Sequence, residues 1–384
     1  MPDTLAEHRY DSTSRTNTLM QLAAHGQSCW LDDLTRRMIR NGELAELAEK
    51  GVRGVTANPA TFAKAIIGGR EYDSDIDRAA ASGLDPTAIY ENLATADVRD
   101  ACELLRPVYD ETEGLDGFVS LEVSPYLAHD TQASIGEARR LWEAVDRPNL
   151  FIKIPGTLEG VPAIEQLLFE GININITLLF SVDRYQAVAR AYLKALERRE
   201  AAGKPIDRIA SVASFFLSRI DVLVDALLQP RTAAATADRP DPESLLGKVA
   251  LANAKLAYHS FKSLFAGAQW DGLEARGARV QRLLWASTGT KNPNYPELMY
   301  VAPLIGPMTV NTMPLSTIQA FLDHGMVRDT IEVGVDDAHR VLADLERLGI
   351  GFPVVAKQLE DEGIEKFIEP FDQLLHHIAT TRRG

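Results

Sequence analysis

The chain has 384 residues, 46% of them hydrophobic and 24% charged, with a formal net charge of −14. That is ordinary globular composition, long enough for one large domain or two smaller ones. The acidic balance argues against nucleic acid or an anionic membrane surface as the main partner, while leaving room for a small anion held in a local basic pocket. No run of about 18 apolar residues exists, so no membrane span is expected. The opening residues, MPDTLAEHRYDSTSRTNTLM, carry no apolar stretch and no cleavage pattern, so no secretory signal is expected either. Cys29 and Cys102 are the only cysteines. Two cysteines make no disulfide framework and no metal-ligand spacing, so both are expected to be inert, in a reducing, cytoplasmic setting.

Strand-like runs follow in chain order, each apolar, rich in β-branched residues and bounded by Gly, Pro or Asn. They are SCWLDD (28–33), VRGVTAN (52–58), GFVSLEVSP (117–125), LFIKIPG (150–156), GININITLLF (171–180), IASVASFF (209–216), VQRLLWAST (280–288) and LIGPMTVNTM (304–313). Helical periodicity fills the gaps, most clearly over 131–146 and 181–203, where Ser181 is an N-cap candidate and Gly203 a stop. Eight strands alternating with helices predict an α/β fold, a (β/α)8 TIM barrel with additional helices, as one domain over 1–384. An open doubly wound sheet is less consistent, because no G-x-G-x-x-G or P-loop follows the first strand. Extra helices are expected at about 60–110 (including 87–107), 217–270 (including 243–266) and 334–381. A surface loop is expected at 229–242, and the tail helices are expected to pack across the barrel.

In such a barrel the polar residues near strand C-terminal ends build the site. Strand 1 offers Asp32 and Asp33, strand 2 Thr56 and Asn58, strand 3 Glu122 and Ser124, and strand 4 Lys153. Strand 5 offers Asn173, Asn175 and Thr177 on one face, and strand 6 Ser211 and Ser214, followed by Arg219. Strand 7 ends in WASTGTKN, with Ser287, Thr288 and Lys291. Each has a plain reading alone: a snorkelling lysine, a paired glutamate, a turn, or Asp32 as the N-cap of a helix beginning DDLTRRM. Together they place polar groups among apolar neighbours on successive strands, which is costly unless they meet each other or a ligand.

Schiff-base chemistry suits that set. A lysine nucleophile must be neutral, and burial among Phe151, Ile152 and Ile154 is expected to favour the neutral form. Glu122 is expected to shuttle the protons of carbinolamine formation and dehydration, and Asp32 to take a substrate hydroxyl proton as a C–C bond breaks. Asn58, Asn175 and Thr177 are expected to hold sugar hydroxyls. Ser214, Arg219 and Lys291 are expected to clamp a phosphate.

Five blocks in order resemble the transaldolase family: GVTANPATFAKAI (54–66), VSLEVSPYLAHDT (119–131), the stretch 150–181 around LFIKIPG, SFFLSRID (214–221) and WASTGTKNP (285–293). The resemblance spans about residues 28–325 and suits the longer bacterial subgroup. It implies transfer of a dihydroxyacetone unit, in the non-oxidative pentose phosphate pathway. The donor would be sedoheptulose 7-phosphate or fructose 6-phosphate, the acceptor glyceraldehyde 3-phosphate or erythrose 4-phosphate, with no cofactor and no metal. It puts Lys153 on the Schiff-base position, Glu122 on the proton relay and Asp32 on the strand-1 acid/base. Asn58, Asn175 and Thr177 fall on substrate or water contacts, and Ser214 and Arg219 on phosphate or substrate contacts. Three departures stand out: Ala57 before Asn-Pro, Phe215 after Ser214, and Lys291 where many relatives carry Arg. The expected partners are sugar phosphates, with the chain a monomer or homodimer. A fructose-6-phosphate aldolase-like lyase is the neighbouring alternative, and having both Asp32 and Glu122 favours transfer over it. A non-catalytic sugar-phosphate-binding barrel is the distant alternative, since a binder needs no desolvated lysine.

Overall fold

The computed structural model describes residues 17–232 and 239–381. Among them eight strands close into a barrel in chain order, every neighbouring pair parallel. They are β1 Gln27–Leu31, β2 Val52–Thr56, β3 Phe118–Glu122, β4 Leu150–Pro155, β5 Ile174–Leu179, β6 Ser211–Phe216, β7 Arg282–Ala286 and β8 Thr309–Met313. Strands buried on both faces read as nearly continuous apolar runs, which is why all eight stood out in the sequence.

Each strand is shorter than its run, for local reasons. β1 ends at Leu31, so Asp32 and Asp33 lie just past it. Gly171, with φ +106, caps the helix Gly160–Glu170 and delays β5 to Ile174. The expected eighth strand starts late: its first residue, Leu304, ends a 3-10 turn, Ala302–Leu304, and Met308 at φ 57 precedes β8.

The barrel interior is layered. Trp30, Phe118 and Phe151 fill the N-terminal part, with Phe118 stacked on Phe151 at 4.2 Å and Trp30 at 6.3 and 6.0 Å from them. Gly54 makes room: a Cβ there would come within 2.6 Å of the Trp30 ring. Beneath, Arg282 binds Asp116 at 2.9 Å, and Asp116 also accepts from Ser28 and the Trp30 indole N–H. These groups satisfy one another and plug that end. Asp32, two positions after Trp30, and Lys153, two after Phe151, therefore face the C-terminal mouth.

The long gaps hold more helices than one each. Between β2 and β3 run Pro59–Gly68, Asp73–Ala81 and Pro86–Glu111, and between β6 and β7 run Ser218–Thr232, Val249–Leu264 and Ala268–Glu274. The expected 229–242 loop is corrected at both ends: 229–232 continue the helix and Pro242–Leu245 is a 3-10 turn, while 233–238 lie outside the described residues. The opening stretch quoted above also lies largely outside them, at 1–16. The tail forms two helices, Val335–Arg347 and Phe352–Thr381. The second crosses the barrel mouth, packing on the helices Pro59–Gly68, Pro86–Glu111 and Ser218–Thr232 and on β5. Gly363 permits the close approach, since a Cβ there would sit 2.8 Å from the Leu178 side chain.

Candidate active site

Register brings the central pair together. β3 and β4 align Glu122 with Lys153, and the Lys153 Nζ donates to Glu122 Oε2 at 2.9 Å. Both side chains are buried, 6% and 2% exposed. Burial raises the Glu122 carboxyl above the usual range, with the Lys153 charge and hydrogen bond opposing.

Asp32 continues the β1 ladder: its N–H donates to Met313 C=O at 2.9 Å. Its carboxylate accepts from Thr56 Oγ1 at 3.1 Å, and Thr56 in turn lies 2.8 Å from Thr312 Oγ1. The helix-cap reading of Asp32 fails, because Thr35 caps the helix Arg36–Arg40. Burial raises the Asp32 carboxyl too, against the charges of Lys153, Lys291 and Arg219. Asp33 is on the other side of the chain, where Lys64 is its leading charge neighbour.

A cavity of about 180 Å³ at the mouth is lined by Asp32, Asn58, Lys153, Ser214, Arg219 and Lys291, with Thr56, Phe216, Ser287, Thr312 and Phe367. Six of the nine expected site residues thus share one hollow. The other three stand in its walls. Glu122 lies behind Lys153. Asn175 is wholly buried and already engaged, donating to Ser120 Oγ at 3.0 Å and accepting from Ser214 Oγ at 2.7 Å. Thr177 is wholly buried opposite Pro155, where a register shift between Ile176 and Leu179 and φ 60 at Leu178 bend β5.

Three buried polar atoms of the expected site residues make no hydrogen bond: Glu122 Oε1, Thr177 Oγ1 and Arg219 Nη1. Buried polar groups are nearly always paired, so such a group of orphans is what a ligand or ordered water satisfies. Arg219 packs between two rings, its Cζ 5.4 Å from Phe216 and 5.6 Å from Phe367. Asn58 uses its side-chain oxygen to cap the helix Pro59–Gly68 through Thr61 N–H. Lys291 is exposed at the rim.

Other sequence candidates do structural work. Ser211 bonds Ile174 C=O, Thr288 bonds Thr312 C=O, Asn173 accepts from Ala210 N–H, and Ser124 N–H donates to Glu137. Phe215, the departure beside Ser214, packs edge-on against Trp285 and leaves Ser214 on Asn175. Cys29 and Cys102 are free and buried, with both thiols pushed up by desolvation. Phe216, Thr312 and Phe367 were missed. Phe216 and Thr312 carried a signal, period-two spacing from Ser214 and Val310; Phe367 carried none. Among the described residues no group of three or more His, Cys, Asp or Glu is arranged to hold a metal, and no helix is long and apolar enough to cross a membrane.

The transaldolase/fructose-6-phosphate aldolase family model matches residues 29–378. The chain belongs to that family. All five blocks quoted above lie inside the matched stretch. Among curated proteins, it is 49% identical to Transaldolase 2 of Nostoc sp. over 368 residues, 94% of this chain and 97% of that one. It is 48% identical to Transaldolase of Trichodesmium erythraeum over 368 residues, with the same coverage. It is 48% identical to Transaldolase 1 of Streptomyces avermitilis over 374 residues, 97% of each chain. The (β/α)8 barrel with its buried lysine is therefore read within this family.

Proposed function

We propose that this protein is a transaldolase, a transferase that moves a dihydroxyacetone unit between sugar phosphates through a Lys153 Schiff base. The observation that carries the reading is the buried Lys153–Glu122 contact at the barrel mouth, 2.9 Å long, in a chain of this family. Lys153 gives a proton to Glu122 and attacks the donor ketone. The alkoxide takes a proton from the attached nitrogen, and Glu122 then hands its proton to the resulting hydroxyl, which leaves as water as the iminium forms. Asp32 takes the donor C4 hydroxyl proton as the C3–C4 bond breaks, and the bonding electrons pass into the enamine. The aldose phosphate leaves, and the acceptor aldehyde adds by the reverse steps. Arg219 and Lys291 suit the phosphate. Ser214, Asn58 and Thr177 suit hydroxyls or an ordered water, while the engaged amide of Asn175 suits positioning Ser214. The donor is proposed as sedoheptulose 7-phosphate or fructose 6-phosphate, the acceptor as glyceraldehyde 3-phosphate or erythrose 4-phosphate. Two buried free thiols suit a reducing, cytoplasmic location, and one continuous apolar core supports reading the chain as one domain.

Borohydride trapping tests this. Fructose 6-phosphate followed by reduction is expected to leave a dihydroxyacetone-derived mass on the Lys153 peptide, and erythrose 4-phosphate added before reduction is expected to deplete it. No adduct on that peptide in folded protein overturns the reading. An adduct that the acceptor does not deplete favours simple cleavage.

A further inference from the structure

Glu122 lines a second cavity as well as backing Lys153. This one, about 410 Å³, lies between the end of β3 and the helices Pro86–Glu111, Thr131–Val145 and Phe352–Thr381. Lys153, Asp32 and Arg219 do not line it. Its polar lining includes Tyr90, Ser124 and Glu137, and it reaches the surface beside Tyr126 and Arg140, both exposed. Its volume is many times what one water needs, and its polar groups, set among Leu121, Val123, Leu141, Phe371 and Leu375, offer partners for water. Glu137 accepts from Ser124 N–H at 2.9 Å. Nearby Glu91 and Arg140 are committed to each other in a two-point pair at 2.5 and 2.7 Å, and Tyr126 OH donates to Asp372. Burial raises the Glu137 carboxyl, with Glu91 adding to the rise and Arg140 opposing.

The chemistry needs such a space. Imine formation releases one water beside Glu122, and hydrolysis consumes one there. The sugar occupies the front cavity at that moment, and Phe367 covers it. We propose that the rear cavity is the water site of the reaction: it receives the water expelled from the carbinolamine and returns it for hydrolysis, with Glu137 keeping it wet. This rests on the transaldolase reading. Glu137 is a positioning residue for that water and touches no substrate.

The test follows oxygen exchange. Enzyme and fructose 6-phosphate without acceptor are placed in H₂¹⁸O, and label entering the donor carbonyl is measured. Glu137→Leu, which removes the carboxylate proposed to hold the water, is expected to slow exchange by about tenfold with little change in KM. Glu137→Gln, still polar and able to accept from Ser124, is expected to retain wild-type exchange. Ala94→Leu, filling the cavity from its helix side, is a second route to the same slowing. Wild-type exchange in folded Glu137→Leu and Ala94→Leu shows that water uses the sugar mouth and overturns the proposal. No exchange and no borohydride adduct in the wild type instead sinks the Schiff-base reading itself.

Discussion

The Phe367 ring lies 5.5 Å from the Lys153 ammonium, although the two residues come from the C-terminal helix and from β4. The same ring is 5.6 Å from the Arg219 guanidinium. The tail therefore supplies an apolar roof for the two cations that the proposed reaction uses, and a roof that keeps water from an imine favours transfer over hydrolysis.

Phe367→Ala is expected to raise the release of free dihydroxyacetone relative to transfer, while the Lys153 adduct still forms. Truncating a phenylalanine that is 5% exposed is also expected to lower stability, by up to about 3–5 kcal/mol. Product analysis with and without acceptor reads the ratio, and an unchanged ratio removes the roof role.

Lys153→Met is expected to fold and to lose turnover by several orders of magnitude, with no borohydride adduct. It leaves the Glu122 carboxyl buried beside a thioether. Stripping a buried carboxylate of its partner costs about 3–5 kcal/mol while it stays charged. Without that partner the folded carboxyl pKa rises further above its unfolded value, so the variant's stability falls as pH increases from 5 to 8. Urea midpoints of wild type and variant across that range check the sign.

Arg219→Ala is expected to raise KM for phosphorylated donors and to lower kcat/KM by roughly 10- to 100-fold, the loss of one hydrogen bond to a charged group. Activity toward unphosphorylated fructose is expected to change far less. An equal loss on both substrates assigns Arg219 to packing against Phe216 and Phe367 rather than to phosphate.

Asp221, two residues on, has no part in the proposed chemistry but titrates. It accepts from Ala250 N–H and Tyr300 OH, each at 2.8 Å, and burial pushes its carboxyl up to about 7. An unfolded aspartate titrates near 3.9. Between those values the folded chain holds a proton that the unfolded chain has lost, so stability falls as pH rises from about 4 to 7, by on the order of 4 kcal/mol. Asp32 and Glu122 shift in the same direction, so the comparison is with Asp221→Asn. That variant is expected to show a flatter decline and to be no less stable than wild type at pH 8.

The eight strands were legible because a parallel barrel strand is apolar on both faces and its ends are marked by Gly, Pro and Asn. Lys153 and Glu122 were legible because a charged residue inside such a run is conspicuous. Their contact was not, since it depends on how far β3 slides along β4, and nothing local to either strand records that offset. Parity placed Asn175 and Thr177 on the inward face. It did not show that a hydrogen-bonded ladder through Ser120 and Ser214 occupies the Asn175 amide, or that the bend at Leu178 leaves Thr177 in a wall. The helical tail was legible as helix, but its apolar stripe fits any apolar surface, so Phe367 carried no mark of the site.

The sequence by itself determined what each short segment becomes and which residue types face inward, because those follow from backbone preference and a period of two or 3.6 residues. Only the tertiary structure decided which inward residues meet. Barrel shear, the bend in β5 and the docking of the C-terminal helix arise from packing between segments far apart in the chain. Those three features put Glu122 against Lys153, gave the lysine its roof, and opened a second cavity behind the glutamate.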